Sequence, residues 1–429
     1  MIMAMKESGI EWVGLIPDTW SVIPNKYVMH KEKNLCEKWS GEDVMSLTMN
    51  GVIVRDLQNP TGKMPATFDG YQYIEDGDLL MCLFDIDVTP RCVGRVTHEG
   101  VTSPAYSNFK VHDNASRDYF YYYYLMVDNT KELLHLAKNL RHSFTEEQLG
   151  QLKVPMPPLS EQQAIADYLD ETCSKIDEII AEAKASIDEY KELKQSVIFE
   201  AVTKGLDKNV EMKDSGIEWI GRIPKHWSLV KSNRFITSTQ NGISRRDLEK
   251  STGNIVLKLR NITEIGEIDY SYTNRIELSN KEFENYILQI GDLLFVRVNG
   301  SKALVGKCAI FNGNNEPVAY NDHIIRVQIY KFCVGEYFKW YLLSQSGKTE
   351  IALHINTSAG QYTISGQGLK DIYVSLPPIH EQENIIMFLG NKCKQIDSLI
   401  SEKESLINDL EAYKKSLIYE VVTGKRRVV

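Results

Sequence analysis

The chain has 429 residues, 43% of them hydrophobic, and a net charge of −9, a size and composition that accommodate two or three domains with ordinary cores and exclude a disordered chain. No run of eighteen apolar residues occurs, and the opening MIMAMKESGIEW lacks the basic start, apolar stretch and small-residue cleavage site of a secretory leader, so a membrane span and export are not expected and a cytoplasmic location is. The seven cysteines are odd in number, scattered and without a CxxC pair, which argues for reduced core residues over a disulfide framework, a zinc site or redox chemistry.

The first landmark is the box SGIEWVGLIPDTWSVIP (8–24), whose Trp12 and Trp20 read as structural anchors. YIEDGDLLMC (73–82) sets a Gly-Asp turn before an apolar run, a turn into a buried strand, and CVGRV (92–96) reads as its strand partner. YFYYYY (119–124) runs into LMVDNTKELLHLA and reads as the buried start of a helix, in preference to a platform for an extruded base. Asp85 and Asp87 read as a solvated loop, not as metal ligands. The prolines of PPLSEQQ (157–163) block helix continuation upstream and open a helix for which Ser160 is the expected N-cap. From 161 to 203, Leu169, Cys173, Ile176, Ile180, Ala183, Ile187, Tyr190, Val197 and Ala201 keep a spacing of three or four, with Lys194 interrupting. That pattern predicts a coiled-coil seam on a helix of about 42 residues, a rod of about 60 Å.

The landmarks then recur. SGIEWIGRIPKHWSLVK (215–231) repeats the box with Trp219 and Trp227, ILQIGDLLFV (287–296) and LVGKC (304–308) repeat the strand pair, and EYFKWYLLSQ (336–345) stands where the aromatic run did. PPIHEQE (377–383), with His380 in place of Ser160, opens a second helix with Leu389, Cys393, Ile396, Ile400, Ile407, Leu410, Leu417 and Val421 in its seam and Lys403 and Lys414 interrupting. The offsets between copies are 207 at the box and 220 at the helix, so the second globular part is 13 residues longer. Segments 158–205 and 378–424 carry −6 and −3, which leaves the remainder neutral and free to present basic faces. Two copies sharing a frame and differing in their loops suit two different half-sites, and the paired seams suit antiparallel helices within one polypeptide.

The doubled GIEWxGxIPxxW box, the doubled PPxxEQ segment and the helix ends LKQSVIFEAVTKG (193–205) and YKKSLIYEVVTGK (413–425) resemble the specificity subunit of type I restriction-modification systems. The resemblance covers nearly the whole chain; it departs at Lys204-Gly205, which stands where the second copy has Gly424-Lys425. It implies a mixed α+β fold of two α/β target-recognition domains (1–156 and 207–376), separated by two long antiparallel coiled-coil helices (157–206 and 377–429) in an internal pseudo-twofold repeat. It further implies a non-catalytic subunit that reads a bipartite asymmetric site on double-stranded DNA and is embraced by two methylation subunits, with restriction subunits joining. S-adenosylmethionine, ATP and Mg would then belong to those partners, and no cofactor or metal to this chain.

No phosphate-binding G-x-x-x-x-G-K-[ST] loop and no Asn-Pro-Pro-aromatic methyltransferase signature is found; Asn59-Pro60 is followed by Thr61-Gly62. Base readout needs Arg or Lys against guanine and Asn or Gln against adenine, presented from loops. The candidates are Arg55, Lys63, Arg91, Arg141 and Ser143 in the first domain, and Arg245, Arg246, Arg297, Asn299, Lys302 and Gln361 in the second. A stand-alone nucleic-acid-modifying enzyme would require a cofactor or metal motif, and a coiled-coil adaptor would show no sequence preference; these are the alternatives to a DNA reader.

Overall fold

The computed structural model describes residues 4–60, 64–137, 143–245, 252–263, 265–330, 332–358 and 360–428. Lys63, Arg141 and Arg246 lie outside the described residues. Two compact units are formed: Met1–Lys184 with Glu404–Val429, and Ala185–Lys403.

The first unit opens with the box, where strands Met5–Glu7 and Leu15–Pro17 pair antiparallel. Strand Ser21–Pro24 pairs with Lys153–Met156, so the two ends of the globular part are tied together. Between them lie two sheets. One has the order Val93–Arg95, Leu79–Met81, Ser107–Val111, Met29–Glu32; the other has five strands, with Gly100–Thr102 parallel to Val44–Thr48 at its centre. The predicted turn and strand pair around Gly77-Asp78 is formed, Val93 opposite Met81 and Arg95 opposite Leu79. Helix Arg117–Asn129 buries Tyr119, Phe120 and Tyr122 to Tyr124, as expected of the aromatic run.

The second unit repeats this frame in the same register. Met212 opposes Pro224 as Met5 opposes Pro17, Ser228–Lys231 pairs with Tyr373–Leu376, and a four-stranded sheet has the order Cys308–Ile310, Leu293–Val296, Ile324–Ile329, Ile236–Asn241. Its second sheet has three strands, Asn274–Ile276, Asn254–Leu257 and Val318–Tyr320, the last two parallel.

The long helices span Leu159–Lys204 and Ile379–Val422, 46 and 44 residues, somewhat longer than the spacing predicts. Ser160 and His380 fall inside the first turn. The N-cap position belongs instead to the prolines: the Pro158 carbonyl accepts from the Glu161 and Gln162 amides, and Pro378 serves Glu381 and Gln382 in the same way. The bond to the proline carbonyl takes up the Glu161 and Glu381 amides, the third in each helix, which a side-chain cap would otherwise receive.

In the first unit the helices run antiparallel. Asp177 accepts from Lys414 (2.6 Å), and further up the first helix Tyr168 lies by Arg426, which follows the second. In the second unit Lys194 binds Asp397 at 2.6 and 2.7 Å, and Ile198, Ala201 and Val202 share a core with Ile385, Leu389 and Cys393. Ile198 is buried and Val197 half-buried, so the seam near the end of the first helix lies one residue beyond the expected position. The small excess of 3.6 residues per turn over the heptad's 3.5 turns the contact face by that amount over several turns.

Candidate nucleic-acid interface

The repeated motifs hold the frame. Trp20 Nε1 donates to Glu161 Oε2 (3.0 Å) and Trp227 Nε1 to Glu381 Oε2 (2.9 Å), so the glutamate of each PPxxEQ receives the second tryptophan of its own box. The adjacent Gln162 is fully buried: its Oε1 accepts from the Ser116 amide at the start of the aromatic helix and its Nε2 donates to the Pro157 carbonyl, both at 2.8 Å. Gln382 does the same for the Val334 amide and the Pro377 carbonyl. Trp12 Nε1 donates to the Tyr123 hydroxyl (3.3 Å) and Trp219 Nε1 to Glu350 (2.8 Å).

The far helix ends are held too. Tyr119 donates to the Val422 carbonyl (2.9 Å), and Tyr337 to that of Val202 (3.2 Å). Despite the exchanged order of glycine and lysine, Gly205 and Gly424 both take positive φ, +76° and +70°, and both lie against box residues, Trp227 and Pro224 for one, Pro17 and Trp20 for the other. The departure at Lys204-Gly205 therefore leaves the helix ending intact.

Outside this frame the two units differ, in the size of the second sheet and in the loops beyond the strand ends. In the second unit, strands Val298–Asn299, Gln361–Thr363 and Asn356–Ser358 form a separate three-stranded ribbon in that order. It is seated by the Ile364 amide donating to the Arg297 carbonyl (2.9 Å), while Arg297 Nη1 donates to the Asp322 carbonyl (2.9 Å). The ribbon brings Asn299 and Gln361 together, with Lys302 on the turn that follows Asn299. Asn299 Oδ1 accepts from the Ser301 amide (2.9 Å) and so fixes this turn. Lys302 and Gln361 are exposed. Arg245 is held on a different loop by Glu282 (3.4 Å) and the Glu277 carbonyl (3.2 Å).

In the first unit the Phe144 amide donates to the Leu83 carbonyl (2.7 Å), which brings the Ser143 segment to the loop that carries Arg91. Arg91 is half-buried, and its charge partly offsets the burial that pushes the neighbouring Tyr121 hydroxyl up. Arg55 ends the edge strand Gly51–Val54, its amide donating to the Val44 carbonyl (2.8 Å).

Asn356, Thr357 and Tyr362 were not singled out from sequence, although NTSAGQYTI (356–364) sets short polar runs on either side of Ala-Gly, a hairpin signal. Among the described residues no group of three or more His, Cys, Asp or Glu is placed to hold a metal ion, and no helix is long and apolar enough to cross a membrane.

Solved structures share this architecture. A chain from work on complex assembly and conformational transition of the type I R-M system superposes with a TM-score of 0.71 at 12% identity, covering 96% of this chain and 99% of that one. The HsdS subunit from Thermoanaerobacter tengcongensis superposes at 0.54 and 14% identity, covering 96% and 98%. The EcoKI specificity subunit of the type I restriction enzyme from Escherichia coli K12 is 28% identical over 277 residues, and its StySPI counterpart from Salmonella potsdam is 24% identical over 275. Each alignment covers 64% of this chain and 58% of the relative, so the match spans somewhat more than half of those proteins. The profile of the type I restriction modification DNA specificity domain matches residues 93–189 and 226–411. With well over half of its length matched, and the frame formed twice, the chain belongs to the type I restriction modification DNA specificity domain family.

Proposed function

We propose that this chain is the DNA sequence-recognition subunit of a type I restriction-modification complex. Each globular part reads one half of a bipartite, asymmetric site in double-stranded DNA, and the paired helices set the unread gap and dock two methylation subunits, to which restriction subunits add. Catalysis, S-adenosylmethionine, ATP and Mg belong to those partners, and the assembly works in the cytoplasm. The observation that carries this reading is a frame repeated in identical register beneath loops that differ in their polar side chains: the half-buried Arg91 and Ser143 near one such position, a polar ribbon with exposed Gln361 at the other. Phosphate contacts from exposed cations such as Lys302 would position the duplex while loop side chains select bases.

Mapping methylated bases in the host genome tests the proposal. The expected result is one asymmetric two-part motif with a constant gap, lost when the gene is deleted. Turnover of DNA by the isolated chain with S-adenosylmethionine and Mg, or deletion that leaves the methylation pattern unchanged, overturns it.

A further inference from the structure

We infer that the hairpin Asn356–Thr363 is the base-reading element of the second unit, and that it reads A·T pairs from the major groove. This rests on the DNA-recognition role proposed above. Ser358 pairs with Gln361, and Gly360 before it takes φ +78°. Two strands about 4.8 Å apart, with their side chains, are matched to a major groove about 12 Å wide. Three residues per strand give a reach of about 10 Å, against a groove about 8.5 Å deep. The third strand, Val298–Asn299, stays at the base as a buttress, its Asn299 side-chain Oδ1 already committed to the Ser301 amide.

The chemistry of the hairpin is one-sided. Asn356, Thr357 and Gln361 are exposed, and Asn356, Thr357, Gln361, Tyr362 and Thr363 include no charged side chain. The bidentate guanine contact, made by Arg or Lys to O6 and N7, is therefore not available from these positions. A carboxamide instead matches adenine N6 and N7, and a threonine methyl matches the thymine methyl. Gln361 lies next to the tip and Asn356 opposite Thr363, which places the two amides at different depths and suits them to neighbouring pairs.

The test is selection from random duplexes by the full chain purified with its methylation subunits. One half-site should require A·T pairs, and Gln361→Ala and Asn356→Ala should each weaken discrimination at one position of that half-site by roughly tenfold or more while leaving the other half-site unchanged. Gln361→Glu keeps the side-chain size and should move preference at its position toward cytosine; it guards against misreading a folding defect as lost readout. The inference is overturned if both half-sites are read unchanged by all three variants, or if the half-site they affect is G·C only. Failure of the parent chain to select any sequence would instead refute the recognition role itself.

Discussion

Trp20 and Glu161 meet across 141 positions of sequence, and their contact explains why box and PPxxEQ occur together. A hydrogen bond to a carboxylate contributes about 1.5–3 kcal/mol, so Trp20→Phe should lower the stability of the first unit by that order, read as a shift of the denaturant midpoint. Gly424 and Gly14 separate two costs of adding a methyl. Both have positive φ, but a Cβ on Gly424 would stand 2.5 Å from Pro17 Cδ, whereas nothing lies within 4 Å of one on Gly14. Gly14→Ala should cost only the backbone term, about 1–2 kcal/mol, and Gly424→Ala clearly more, measured by thermal unfolding of both variants. Glu42 accepts hydrogen bonds from the backbone and hydroxyl of Ser40, which hold its carboxyl down at about 2 from an ordinary 4.5. Its folded value is depressed, so its contribution is present above pH 4.5 and fades as pH falls toward 2; Glu42→Gln should flatten that part of a stability profile. At this scale the sequence was legible where residue types recur: the tryptophans stood out as anchors. The glutamates of PPxxEQ recur as plainly, but their pairing with the tryptophans is not legible, because a spacing of 141 leaves no periodic trace.

The long helices were readable from their 3.6-residue rhythm, and their prolines marked the starts to within a few residues. What periodicity could not supply was the meaning of the lysines in the seam. Lys194 and Lys414 keep their ammonium groups on Asp397 and Asp177 while most of each lysine side chain is covered, as a long side chain with an apolar stem and a charged tip allows. Both pairs are partly exposed, the aspartates more than half, so each contributes well under 1 kcal/mol. Lys414→Asp should therefore destabilise only modestly, by about 0.5–1 kcal/mol, and Asp177→Lys added to it should restore most of the loss; a double-mutant cycle in urea measures this. Strands were visible where a Gly-Asp turn preceded an apolar run. The reading ribbon was less so, because strands of two or three mostly polar residues carry no burial alternation.

The first compact unit is not a continuous stretch of chain, since it takes in the end of the second helix; the second, Ala185–Lys403, is continuous but opens with the end of the first helix. A repeat alone announces two copies, and sequence boundaries drawn at the helix starts cannot reveal that each copy borrows its closing helix segment from the other. Stopping the chain after Lys403 should therefore damage the part farthest away in sequence. Without Val422 to accept from Tyr119 and without Gly424 beneath Trp20, amide exchange across 119–127 should rise sharply, while 293–296 and 324–329 keep their protection in mass-spectrometric exchange. The same borrowing governs synthesis. Domains usually fold in the order in which they leave the ribosome, but here the earlier-made unit must wait, lacking its final helical support, until the 404–429 segment has been made, and a nascent-chain chaperone would find it unfinished while the second unit is synthesised.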